Sequence, residues 1–117
     1  MVKIEVLQSI TENEFITEVT VDGVTKRRIM TLEEIRADFI SGNKNVYYIF
    51  DTNLEFDFVQ VDFEDNIYYI YLVSYIFDSE GGNVKDKLLK TYKRYSNALN
   101  HAYKVAGELD TIVSILD

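Results

Sequence analysis

The chain of 117 residues has no cysteine, no proline, no tryptophan and a single histidine. Without cysteine there is no disulfide, no thiolate metal site and no cysteine nucleophile. A Ser/His/Asp triad would have to route every role through His101, so no such constellation can be assembled. No run approaches the roughly 18–20 apolar residues that span a membrane, and MVKIEVLQSI lacks a signal-peptide pattern, so a cytoplasmic location is expected. Gly81-Gly82 is unaccompanied by Gly-x-Gly-x-x-Gly or Gly-Lys-Ser/Thr, which excludes a phosphate loop there.

The most informative absence is local. From Val46 to Asn83 there is no lysine or arginine, while Asp51, Glu55, Asp57, Asp62, Glu64, Asp65, Asp78 and Glu80 all fall in that segment. The rest of the chain is electrically balanced, so the whole formal charge of −8 belongs to this one stretch. Such acidity disfavours bare nucleic acid and anionic membranes, and favours cations or basic protein surfaces.

What is present is enough apolar matter for a core. The chain is 47% hydrophobic and 14% aromatic, which argues for a packed globule, and its length suits a single domain over residues 1–117. Val2–Leu7 alternates apolar and charged residues, the period of a half-buried strand. FITEVTV and VTKRRIM flank Asp22-Gly23, a dipeptide made for a type I′ hairpin, and this register sets Glu18 opposite Arg27, Ile16 opposite Ile29 and Phe15 opposite Met30. Lys26-Arg27-Arg28 then alternates faces and reads as strand-surface charge.

Thr31-Leu-Glu-Glu34 is a capping-box pattern that opens a short helix, with Gly42 placed to end it. Strands are expected at about 46–51, 54–63 and 67–77, the last two turning at Asp65-Asn66. Along Leu54–Phe63 the apolar side changes from even to odd positions near Phe58-Val59, as a strong twist, a bulge or burial on both faces would require. Ser79–Asn83 reads as a flexible loop. Leu88, Tyr92, Tyr95, Leu99, Ala102 and Ala106 then step at helical spacing, predicting a long C-terminal helix from Val84 to about Ala106 and a short one after Gly107. The expected fold is α+β: a mostly antiparallel sheet of about six strands in the order βββα-βββα, with the long helix packed on it. No residue-level repeat links the halves.

The candidate functional residues are the carboxylates of LEFDFVQVDFED and its approach: Asp51, Glu55, Asp57, Asp62, Glu64 and Asp65. In the expected strand pairing no base faces Glu55, Asp57 or Asp62. Interleaved aromatics would make them a protein-binding surface, because aromatic anchors ringed by charge bind well. Five acids over twelve strand residues, at ~3.3 Å each, give about one charge per 8 Å, against one per ~1.7 Å of duplex axis, so full duplex mimicry is poor. A local acidic patch filling a basic groove fits better. A second class uses Asp51, Glu55 and Asp57 as oxygen ligands for a divalent metal, or as a small-ligand pocket. A third is a homodimer joined through the helix after Val84.

In overall profile, a short acidic cysteine-free α+β chain without a catalytic signature resembles small phage-encoded inhibitors of host defence, anti-CRISPR proteins among them. It equally resembles bacterial immunity proteins that neutralise basic toxins. The resemblance is one of profile, with no shared motif. It implies a non-enzymatic inhibitor whose surface at about 51–80 docks on a basic, nucleic-acid-binding surface of a partner protein, with no cofactor and no direct contact to nucleic acid.

Overall fold

The computed structural model describes residues 1–116. Among the described residues the fold is α+β, with eight strands in two four-stranded mixed sheets, and two helices. Strands β1 (Val2–Ser9), β2 (Glu14–Val21), β3 (Val24–Thr31) and β4 (Val46–Phe50) form the first sheet in the order β3-β2-β1-β4. Strands β5 (Leu54–Glu64), β6 (Ile67–Asp78), β7 (Gly81–Tyr92) and β8 (Val113–Ile115) form the second in the order β7-β6-β5-β8. Helix α1 (Leu32–Ile40) precedes β4 and helix α2 (Tyr95–Glu108) precedes β8.

The single six-stranded, mostly antiparallel sheet expected from the sequence is therefore corrected on two points. First, β1 pairs with β4 and β5 with β8 in parallel. A tight turn cannot join parallel neighbours, and in each half a helix supplies the crossover. Second, the long helix from Val84 is a strand as far as Tyr92, and only Tyr95–Glu108 is helical. Val84, Leu88 and Tyr92 are four apart, a spacing that serves one face of a helix and one face of a strand equally. The loop expected at 79–83 shrinks to a turn, with Gly81 at φ 137° opening β7. The short helix expected after Gly107 is β8, reached through Asp110 at φ 52°.

Both sheets trace the same path: three consecutive strands, a helix, then a fourth strand parallel to the first of its set. The repeat is one of topology, carried by different residues.

By contact the chain divides into two compact units, residues 1–56 with 76–83, and residues 57–75 with the chain from Val84. In the first, the β2–β3 hairpin has the expected register, with Glu18 facing Arg27 and Phe15 facing Met30. Asp22 and Gly23 both hold positive φ, as a type I′ turn demands. The Thr31 hydroxyl accepts from the Glu34 N–H at 3.1 Å and the Glu34 carboxylate accepts from the Thr31 N–H at 3.3 Å, completing the capping box. Ile4, Val6, Phe15, Met30 and Ile35 are buried in this unit. Phe39 of α1 meets Phe50, Phe56 and Phe77, and the Phe50 and Phe77 rings stack at 4.1 Å.

The second unit has its own core. Val59, Val61 and Ile70 of the sheet cluster with Ala98, Ala102 and Ala106 of α2. Three alanines on one helix face present only methyl groups to the sheet residues they cluster with. Burial on β5 switches as the sequence indicates: Leu54, Phe56 and Phe58 are buried at even positions, Val59 and Val61 at odd ones. Asp65 and Asn66 hold φ 51° and 64°, which places the β5–β6 turn where it was expected. Among the described residues no helix is long and apolar enough to cross a membrane.

Candidate protein-docking surface

The six carboxylates singled out in the sequence are shared between the units. Asp51 and Glu55 belong to the first. Asp51 follows β4, where its N–H donates to the Val6 carbonyl at 2.8 Å. Its carboxyl hydrogen-bonds Glu5, and this bond, then desolvation and the charge of Asp51, push Glu5 above the usual glutamate range. Glu55 is exposed between buried Leu54 and Phe56. Asp57, Asp62, Glu64 and Asp65 belong to the second unit. Asp57 is half-buried, and its backbone carbonyl accepts the Thr111 hydroxyl, which anchors the chain entering β8. Among the described residues no three of His, Asp and Glu gather closely enough to hold a metal ion, so Asp51, Glu55 and Asp57 do not form a ligand set.

Asp62, Glu64 and Asp65 do come together, at the turn end of β5. Gln60 donates to the Asp62 carboxylate at 2.9 Å and fixes its direction. Tyr71 reports on the same field: desolvation first, then the charges of Asp62 and Asp86, raise its phenol above the ordinary value, with Tyr69 and Glu64 adding. Among the described residues the three ion pairs all lie in the first unit, at Lys3–Glu5, Arg27–Glu18 and Arg28–Glu34. The carboxylates of the β5 turn end therefore have no internal cation, and the bases of residues 85–104 do not neutralise them by contact.

Beside these acids lies an open apolar concavity of about 290 Å³, lined by Val61, Phe63, Tyr68, Tyr95, Ile115 and Leu116 together with Asp62. Phe63 is 53% exposed, and Tyr95, Ile115 and Leu116 are exposed as well. The Phe63 and Tyr68 rings meet at 4.5 Å and the Tyr68 and Tyr95 rings at 5.4 Å, giving a continuous aromatic wall. An exposed phenylalanine braced by Tyr68, which itself rests on Tyr95, is partly preorganised to receive an apolar group, because some of its rotamer freedom is already lost.

Sequence reasoning had the acids of this surface but not its apolar floor. Phe63 continues the odd-numbered run of Val59 and Val61 and so reads as core. Its place next to the Asp65-Asn66 turn is the signal that it runs off the covered part of the sheet. Ile115 and Leu116 were hidden by reading the C-terminal segment as helix. Of the aromatics interleaved with these acids, Phe56 and Phe58 are buried, while Tyr69, Tyr71 and Tyr75 are half-buried, in keeping with core packing for most of them. No family model matches the chain, and neither the curated proteins nor the solved structures provide a match.

Proposed function

We propose that this protein is a non-enzymatic docking module that occupies a basic surface of another protein, one that the partner otherwise uses to hold nucleic acid. The observation that supports this reading is the exposed Phe63 concavity with Asp62 in its lining and Glu64 and Asp65 next along the chain, acids that form no ion pair among the described residues. An apolar anchor supplies affinity, and like charge on the neighbouring strand end supplies steering. The occupant is a lysine- or arginine-rich surface with an apolar side chain that enters the concavity. Asp51 and Glu55 belong to the other unit, and this reading does not rest on them.

The test compares three immobilised baits in a lysate of the cells that carry the gene: the wild type, D62N/E64Q/D65N and F63A. The reading requires a basic nucleic-acid-binding protein that only the wild type retains, that leaves in moderate salt, and that added oligonucleotide displaces. The same retained proteins on all three baits would refute it.

A further inference from the structure

A second surface of the 57–75 and 84-onward unit has the opposite character. Helix α2 carries Asn97, Asn100, His101 and Lys104 at i, i+3, i+4 and i+7, a single polar face beside its buried alanine stripe. Together with Lys90 and Tyr92 of β7 they line a groove of about 440 Å³. No carboxylate lines it, in a chain with 20 acids and 12 bases. Among the described residues neither Lys90 nor Lys104 is in an ion pair.

The groove is also organised. The Tyr92 hydroxyl and His101 Nδ1 share a hydrogen bond at 2.8 Å, with the two rings edge to face at 5.5 Å. The Lys90 ammonium sits 5.1 Å from the centre of the Tyr92 ring. When the Tyr92 O–H donates to Nδ1, the imidazole proton resides on Nε2, which becomes a donor. The two ammonium groups, the asparagine amides and that N–H then give a set of donors around one cleft. Lys90 and Lys104 are solvent-exposed, and two ammonium groups at one cleft without an acid favour an anion there.

We propose that this groove binds a small phosphomonoester, its phosphoryl oxygens held by Lys90 and Lys104 and by His101 Nε2–H, its organic part lying along Asn97 and Asn100. A free phosphate would leave most of the cleft empty, whereas its volume falls in the range that suits a small organic ligand of about 300–1,000 Å³. The site stands independently of the docking surface.

His101 is the only histidine, so its ring C–H signals in a proton NMR spectrum report on this groove alone. The experiment titrates inorganic phosphate and, separately, adenosine monophosphate into the full chain at constant ionic strength. The expected result is a saturable shift of the His101 signals with the monophosphate. K90Q/K104Q should weaken it by at least about tenfold, since two charge-assisted contacts are lost. K26Q/K44Q, which removes the same charge elsewhere, should leave it unchanged. Tighter binding of the monophosphate than of inorganic phosphate supports the organic half of the site; equal binding overturns that half and leaves a phosphate site alone. No saturable shift with either probe, or equal weakening in both double variants, overturns the proposal. Cooperative urea unfolding of each ligand-free variant, followed by tyrosine fluorescence, confirms that it folds.

Discussion

Two apolar residues of the second unit should respond very differently to truncation. Phe63 is 53% exposed on β5, whereas Ile70 on β6 is fully buried in the cluster with Ala98, Ala102 and Ala106. Full burial of a large apolar side chain contributes about 1.5–3 kcal/mol, so the covered half of Phe63 contributes about 1 kcal/mol. Its ring pair with Tyr68 adds about 0.5–1.5 kcal/mol. Phe63→Ala should thus cost about 1.5–2.5 kcal/mol, against about 2–5 kcal/mol for Ile70→Ala, which also opens a cavity. Urea unfolding followed by tyrosine fluorescence separates the two, and the absence of tryptophan keeps that signal clean. With a slope of about 1–3 kcal/mol per molar, the Ile70→Ala midpoint should fall by clearly more than that of Phe63→Ala. Partner capture should nevertheless be lost with Phe63→Ala, as removing a central aromatic anchor costs about 2 kcal/mol or more of binding. If Phe63→Ala destabilises as much as Ile70→Ala, Phe63 is a core residue and the docking argument fails.

Two further predictions concern carboxylates with opposite perturbations. Glu34 is held below the ordinary glutamate range, first by the Thr31 N–H and then by the Thr31 hydroxyl and Arg28. Its contribution is therefore present above the unfolded-state value and lost as pH falls through the lowered folded value. Glu34→Gln should lower the melting temperature at neutral pH and have no effect once the wild-type carboxyl is protonated; a deficit that persists in acid would contradict this. Glu5 is raised, chiefly by its hydrogen bond to Asp51, so the sign reverses: its ionised form is penalised in the fold, and the penalty grows as pH rises through the ordinary range. Asp51→Asn should raise the melting temperature at neutral pH, with the gain fading as pH falls through that range. Thermal scans across pH check both, and an Asp51→Asn protein no more stable than the wild type at neutral pH would refute the pairing.

Local chemistry made much of the fold legible. Two-residue turns with left-handed backbone, at Asp22-Gly23 and Asp65-Asn66, and the reciprocal Thr31/Glu34 cap are satisfied within a few residues of chain. The side switch in β5 was readable too, since burial parity is written into every second residue. Val84–Tyr92 was not readable, because apolar residues four apart serve helix and strand alike. Its identity as β7 depends on pairing with β6, a partner that local spacing does not reveal. Val113–Ile115 is shorter still, and it is a strand because the chain beside it is β5.

The sequence by itself therefore determined the α+β class, the β2–β3 and β5–β6 turns, the capped helix and the location of all net charge, each a property of neighbouring residues. Only the tertiary structure decided that there are two sheets with parallel members, and which acids share a surface. It alone placed Phe63, Ile115 and Leu116 around one concavity and Lys90 and Lys104 around one groove. Those juxtapositions join residues up to about half the chain apart, and the crossover helix that brings β8 back to β5 creates the first of them.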